Sequence, residues 1–194
     1  MRRDLAVAAL LLLLLSACAG RSSAPPSPGY ERGGMPELRG ARVLLLPLQL
    51  RTGGHSDFDR ELEYALRQRP GGTDWVAPEA IRQVLARSPG TGILIDQLPV
   101  RPFLAGELLR VGDPLFGDLY RLGALVGASW ALLPVEAKAR MEGAAEAIEL
   151  SAALLDVRTG SVVWYGVVEG APGSPGALAT SASAAEVLAR RVSG

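Results

Sequence analysis

"LSAALLDVRTGSVVWYGVVEG", residues 150–170, decides how this chain folds. Two β-rich runs, 147–157 and 161–170, flank Arg158-Thr159-Gly160. A short loop closing on glycine between two such runs signals a β-hairpin, with Gly160 supplying positive φ. Immediately upstream, "ASWALLPVEAKAR" (128–140) reads as another strand, which leaves through an Ala/Gly/Glu turn. Three strands in succession with short connections make an antiparallel meander.

Working outward, Asp113-Pro114 marks a helix start, and "PLFGDLYRLGALVG" continues it to Gly127. Leu115, Leu119, Leu122 and Val126 share one face, and Gly127 fits the C-terminal stop. On the far side of the meander, a Pro/Gly break at 172–176 precedes "GALATSASAAEVLARRVSG", a closing helix. Its expected inner face is Leu178, Ser181, Ala185, Leu188 and Val192, and Arg190 and Arg191 suit its last turn.

The front half alternates. "ARVLLLPLQL" (41–50) is apolar on both faces and reads as a buried central strand, weakened near Pro47, which has no N–H to donate. "SDFDRELEYALRQ" (56–68) is a helix with Ser56 as N-cap and a stripe of Phe58, Leu62, Ala65 and Leu66. "TDWVAP" (73–78) is a short strand, and Pro78 opens a second helix to about Arg87, with Ile81, Val84 and Leu85 inward. Residues 88–112 mix apolar residues with turn punctuation and predict a long loop holding one short strand or helix. The order is β-α-β-α, a variable stretch, then α-β-β-β-α. The fold class is α+β (mixed α/β), one mixed sheet with helices on both faces. No internal repeat is present.

The strand ending "VLLLP", then "LYRLGALVGASWALLPVEA", then the hairpin resemble small exported domains related to the curli-secretion lipoprotein. Penicillin-binding-protein activator lipoproteins and the N-terminal domain of the Tol translocation protein are similar. The shared pattern falls on Leu122–Ala128, Asp156, Thr159, Gly160 and Trp164, within a resemblance spanning roughly 41–193. These motifs specify a helix end and a hairpin turn, so the resemblance implies a fold more than an activity.

The chain's only cysteine lies elsewhere, in "LLSACAG" (14–20). A basic start, Arg2-Arg3, and an apolar run from Leu5 to Leu15 have the form of an export signal, too short for a stable membrane span. Two readings of its end compete. Ala17-Cys18-Ala19 fits ordinary signal cleavage. Leu15-Ser16-Ala17-Cys18 resembles the lipobox of bacterial lipoproteins and accounts for an otherwise unexplained, unpairable thiol. That resemblance implies a mature chain starting at a lipidated Cys18, and Ala19 after it leans towards the outer membrane. The expected domains are a lipoprotein signal peptide (1–17), a lipidated Cys with a flexible Pro/Gly/Ser tether (18–40), and a globular unit (41–194).

Composition excludes several chemistries. Without residues 1–17 the chain keeps 18 basic and 19 acidic side chains, giving no electrostatic footprint for nucleic acid. The cations are almost all arginine, Lys138 being the only lysine, and it lies in "EAKAR", which rules out a P-loop. No GxSxG motif occurs, and one Cys with one His cannot make ordinary zinc spacing.

His55, Asp57 and Asp59 alternate beside a helix start, a pattern weighed as a metal site and read instead as an exposed loop histidine beside a cap. Glu61/Glu63 and Glu142/Glu146 are read as solvated charge rather than glycosidase carboxylates. Trp75, Trp130 and Trp164 fall in strands, either as core or as a binding face.

No cofactor, metal or catalytic residue is expected. The expected function is a membrane-anchored periplasmic lipoprotein, a non-enzymatic binding or regulatory module for an envelope protein. The alternatives are a secretion or envelope assembly subunit, and an envelope hydrolase. The apolar stretch 90–104 either folds onto the core or contacts the partner through Ile93, Leu94 and Ile95.

Overall fold

The computed structural model describes residues 25–52 and 57–193. Its strands are β1 (Glu31–Gly33), β2 (Arg42–Leu45), β3 (Leu50–Thr52), β4 (Asp74–Val76), β5 (Trp130–Glu142), β6 (Ala145–Asp156) and β7 (Ser161–Glu169). Its helices are α1 (Phe58–Arg67), α2 (Pro78–Ala86), α3 (Leu115–Val126) and α4 (Leu178–Ser193). They form one mixed sheet in the order β1-β7-β6-β5-β2-β4, with β3 also on β5. β2 runs parallel to β4 and β5, while β5, β6 and β7 form the antiparallel meander. The expected class, one mixed sheet with helices on both faces, is the class observed.

The alternation of side chains along the strands divides the core in two. On one face Val43, Leu45, Leu132, Leu150, Leu154 and Trp164 meet α1 and α4. On the other, Leu44, Ala131, Leu133, Ala153, Leu155 and Tyr165 meet α2, α3 and the 93–111 segment. The α1 stripe is buried as its spacing requires. Along α4 the small residues Ser181, Ala184, Ala185 and Ala189 are buried with Leu188 and Val192. Leu178 departs from expectation. It is 54% exposed, and burial along the helix begins at Thr180.

Pro47 acts as expected. β2 ends at Leu45 and β3 begins at Leu50; between them Leu46 and Gln49 still donate to the Leu132 (3.0 Å) and Pro134 (3.3 Å) carbonyls of β5, while Pro47 has no N–H to give. Gly160 sits at φ +74° between β6 and β7, and Asp156 accepts the N–H of Arg158 (2.8 Å) and of Gly160 (2.8 Å, through its backbone carbonyl). Gly166 is required differently: any Cβ there would lie 2.3 Å from the Trp164 ring, which folds over it.

Two regions differ from the sequence reading. The stretch 88–112 contains three 3-10 turns, Pro89–Thr91, Ile95–Gln97 and Arg101–Ala105, rather than one strand or helix. Its frequent prolines and glycines break any longer hydrogen-bonded run. The second difference is in the segment assigned to a flexible tether. Residues 25–40 are part of the domain: Glu31–Gly33 pairs antiparallel with β7 as an edge strand. The Tyr30 ring packs edge-on against Tyr165 at 6.2 Å, and Arg32 donates to the carbonyls of Gly106 (2.8 Å) and Leu108. Three mostly polar residues carry no hydrophobic period, so such a strand is defined only by its partners.

Candidate functional surfaces

Cys18, His55 and Ser56 lie outside the described residues. The acids that flank His55 have structural partners. The Asp59 carboxylate accepts the Leu48 N–H at 2.8 Å and pairs with Arg51 at 2.8 Å, tying α1 to the break between β2 and β3. Asp57 pairs with Arg60 on the same helix. Glu63 pairs with Arg67 at 2.9 Å. Glu142 is exposed at a hairpin end, whereas Glu146 is buried and accepts the Gly176 N–H at 3.4 Å. Among the described residues no cluster of three His, Cys, Asp or Glu is placed to hold a metal ion.

The 3-10 layer separates the three residues expected at a partner contact. Ile93 and Ile95 are 6% and 2% exposed within the core, while Leu94 between them is 64% exposed. The layer is pinned from the sheet by Gln49. Its amide donates to the Ile95 carbonyl (2.9 Å) and its Oε1 accepts the Leu98 N–H (2.8 Å). Arg82 on α2 grips Asp96 through two nitrogens, at 2.6 and 3.2 Å, which holds the guanidinium above its ordinary pKa. Leu94 therefore projects from a fixed backbone.

Elements over the same sheet face expose further apolar side chains, Leu109, Tyr120 and Leu125. Sequence reasoning did not single these out. The usable signal is that Tyr120 and Leu125 fall off the Leu115/Leu119/Leu122 stripe of α3. An apolar cavity of about 150 Å³ opens in this layer between Phe103, Leu108, Val111 and Pro114. Trp164 is fully buried, and Trp75 and Trp130 are half-buried against the opposite core.

The far part of the meander is built differently. The β5 register shifts between Pro134 and Glu136, where a prolyl nitrogen cannot join the ladder. Val135 faces the 3-10 layer, and after the shift Ala137 faces the opposite core. Glu136, Lys138 and Arg140 thus continue on the Val135 side. Lys138 pairs with Glu136 at 2.8 Å, and Arg140 lies 3.6 and 3.7 Å from Glu149 and Glu169. Leu104 of the last 3-10 turn borders this charged part of the sheet beside Glu136 and Lys138. The segment Pro25–Ser27 lies along it, bordering an open cavity of about 520 Å³ with Lys138, Arg140 and Glu149.

Tyr165 lies beneath, where burial raises its hydroxyl above the ordinary tyrosine pKa and a hydrogen bond with Ser151 opposes the shift. Among the described residues no helix is long and apolar enough to cross a membrane.

These features define an α+β domain with a double-sided core. No family model matches the chain, and no curated protein matches it significantly. It is similar to several solved structures. The LpoB C-terminal domain from Salmonella enterica matches at 17% identity and TM-score 0.44, over 68% of this chain and 83% of that one. A subunit of the PelC dodecamer from Paraburkholderia phytofirmans matches at 12% identity and TM-score 0.44, over 85% and 96%. Lipoprotein GNA1162 from Neisseria meningitidis matches at 13% identity and TM-score 0.44, over 78% and 97%.

Proposed function

We propose that this chain is a lipid-anchored lipoprotein of the bacterial cell envelope that acts by contact, without catalytic turnover, on an envelope protein or assembly. The observation that carries the reading is Leu15-Ser16-Ala17-Cys18 at the end of an apolar run, holding the only cysteine of the chain. Acylation of Cys18 and its new amino group supplies more than one chain, enough for firm anchoring where a single chain is marginal. Ala19 favours the outer membrane, with the domain in the periplasm. Leu94 offers the partner an exposed apolar side chain on a backbone held by Gln49 and Arg82, and Leu109 and Tyr120 are further exposed apolar side chains over the same sheet face.

Fractionation tests the anchor. The wild type is expected in the membrane fraction and to incorporate labelled palmitate. Cys18→Ser should lose the label and leave the membrane or stall in processing. A soluble, unlabelled wild type would refute the reading. Contact is tested by cross-linking in intact cells. Leu94→Ser with Tyr120→Ser should weaken one discrete cross-linked species while the protein stays folded. An unchanged cross-link pattern would move the contact elsewhere.

A further inference from the structure

We infer that the domain sits on the bilayer in one orientation, with the β5–β6 hairpin against the lipid surface and the Asp156–Gly160 turn pointing away. The inference rests on the Cys18 anchor proposed above and adds a direction to it.

The chain enters the fold at a fixed place. Gly29 and Tyr30 exchange backbone hydrogen bonds with Val167, each 2.9 Å, and the Tyr30 ring packs on Tyr165. Pro25 and Pro26 then lie across the charged part of the sheet, level with Glu136–Arg140. Only seven residue steps separate Cys18 from Pro25, so this stretch spans at most about 25 Å in any conformation.

The two ends of the meander lie at unequal distances from that entry. Four residue steps along β5 take Lys138 to Glu142, so the hairpin tip is about 13 Å from the Pro25 level. In the other direction eight steps lead to Trp130, which pairs with Asp156, and the turn extends beyond. That end is about 30 Å away, at roughly 3.3 Å per residue. With the strands upright on the bilayer, bringing the turn down to the lipid would lift Pro25 farther from it than Cys18 can follow. Standing the hairpin on the lipid needs only part of the available length.

The surfaces agree with this direction. The hairpin tip exposes Met141 (60%) beside the acid Glu142 and turns at Gly143, so one apolar side chain, flanked by a single carboxylate, leads towards the interface. The opposite end carries Arg42, Arg158 and the C-terminus of α3. A cavity of about 330 Å³ opens there, bordered by Tyr120, Gly127, Ser129 and Arg158. That end is left for an aqueous partner.

Energy transfer from single sites to the lipid tests the orientation in the full lipidated protein. Cys18 is the only native cysteine and its thiol is consumed by the anchor, so an introduced cysteine takes a donor dye alone. Met141→Cys and Arg158→Cys both lie at exposed positions. The proteins are reconstituted in phosphatidylethanolamine/phosphatidylglycerol vesicles carrying a headgroup-labelled acceptor. Transfer from position 141 should exceed that from 158 several-fold, and a long Gly/Ser insert between Ala24 and Pro25 should erase most of the difference. Co-flotation with equal transfer, or with greater transfer from 158, overturns the orientation and leaves the anchor standing. Failure to float with vesicles overturns the anchor and the orientation with it.

Discussion

Ile95→Ala separates the structural role of the 93–98 segment from its surface role. The side chain is 2% exposed and packs in the core beneath the 3-10 layer. Removing three carbons forfeits about 2.4 kcal/mol of transfer energy at roughly 0.8 per methylene. The backbone above cannot settle into the space, because Gln49 and Arg82 hold residues 95–98 in place. A residual cavity of some tens of Å³ therefore adds about 1 kcal/mol at roughly 24 cal/mol per Å³. The expected total is about 3–4 kcal/mol, or a fall in Tm of roughly 6–16 °C for a chain of this size. Leu94→Ser, one residue away and 64% exposed, should stay within about 0.5 kcal/mol. Urea unfolding of the purified protein in detergent, followed by tryptophan fluorescence, measures both. Equal destabilisation by the two variants, or an unchanged midpoint for Ile95→Ala, would refute the placement of the layer.

Gly160→Val should cost about 2–4 kcal/mol, since φ is +74° and a Cβ would meet Phe116 at 2.8 Å and the Val111 carbonyl at 3.1 Å; denaturation against wild type checks it. Gln49→Ala should cost about 2–3 kcal/mol by releasing the Ile95 carbonyl and Leu98 N–H, and amide exchange at Leu98 should accelerate. Tyr165 keeps its proton to higher pH in the folded state than in the unfolded chain, so above the ordinary tyrosine pKa the native state binds more protons. The stability it contributes is present below that pKa and is lost as pH rises from there through the raised folded value. Tyr165→Phe should flatten this alkaline decline in a stability-versus-pH series.

The fold was legible where pattern and punctuation coincided. Phe58, Leu62, Ala65 and Leu66 announce α1 by their spacing, and Asp156 to Gly160 announces the turn by its chemistry. Pro47 marked the break between β2 and β3 because a missing N–H acts locally. What stayed hidden depended on distant partners. β1 exists because Tyr30 finds Tyr165 and Arg32 finds two carbonyls more than seventy residues away. Ile93-Leu94-Ile95 reads as one apolar run, yet a 3-10 turn sends its neighbours inward and Leu94 outward. The exposed Leu109 carries no signature of its own, since only burial of the surrounding residues makes it conspicuous.

The central claim is that the chain works as a lipid-anchored contact module, and the mass of its N-terminal peptide, purified from bacterial membranes, tests it most directly. The account predicts a peptide beginning at Cys18 and carrying acyl chains on the thioether-linked glycerol and the amino group. A peptide beginning at Gly20, without lipid and recovered from the soluble fraction, would show ordinary signal cleavage after Ala19 and contradict it.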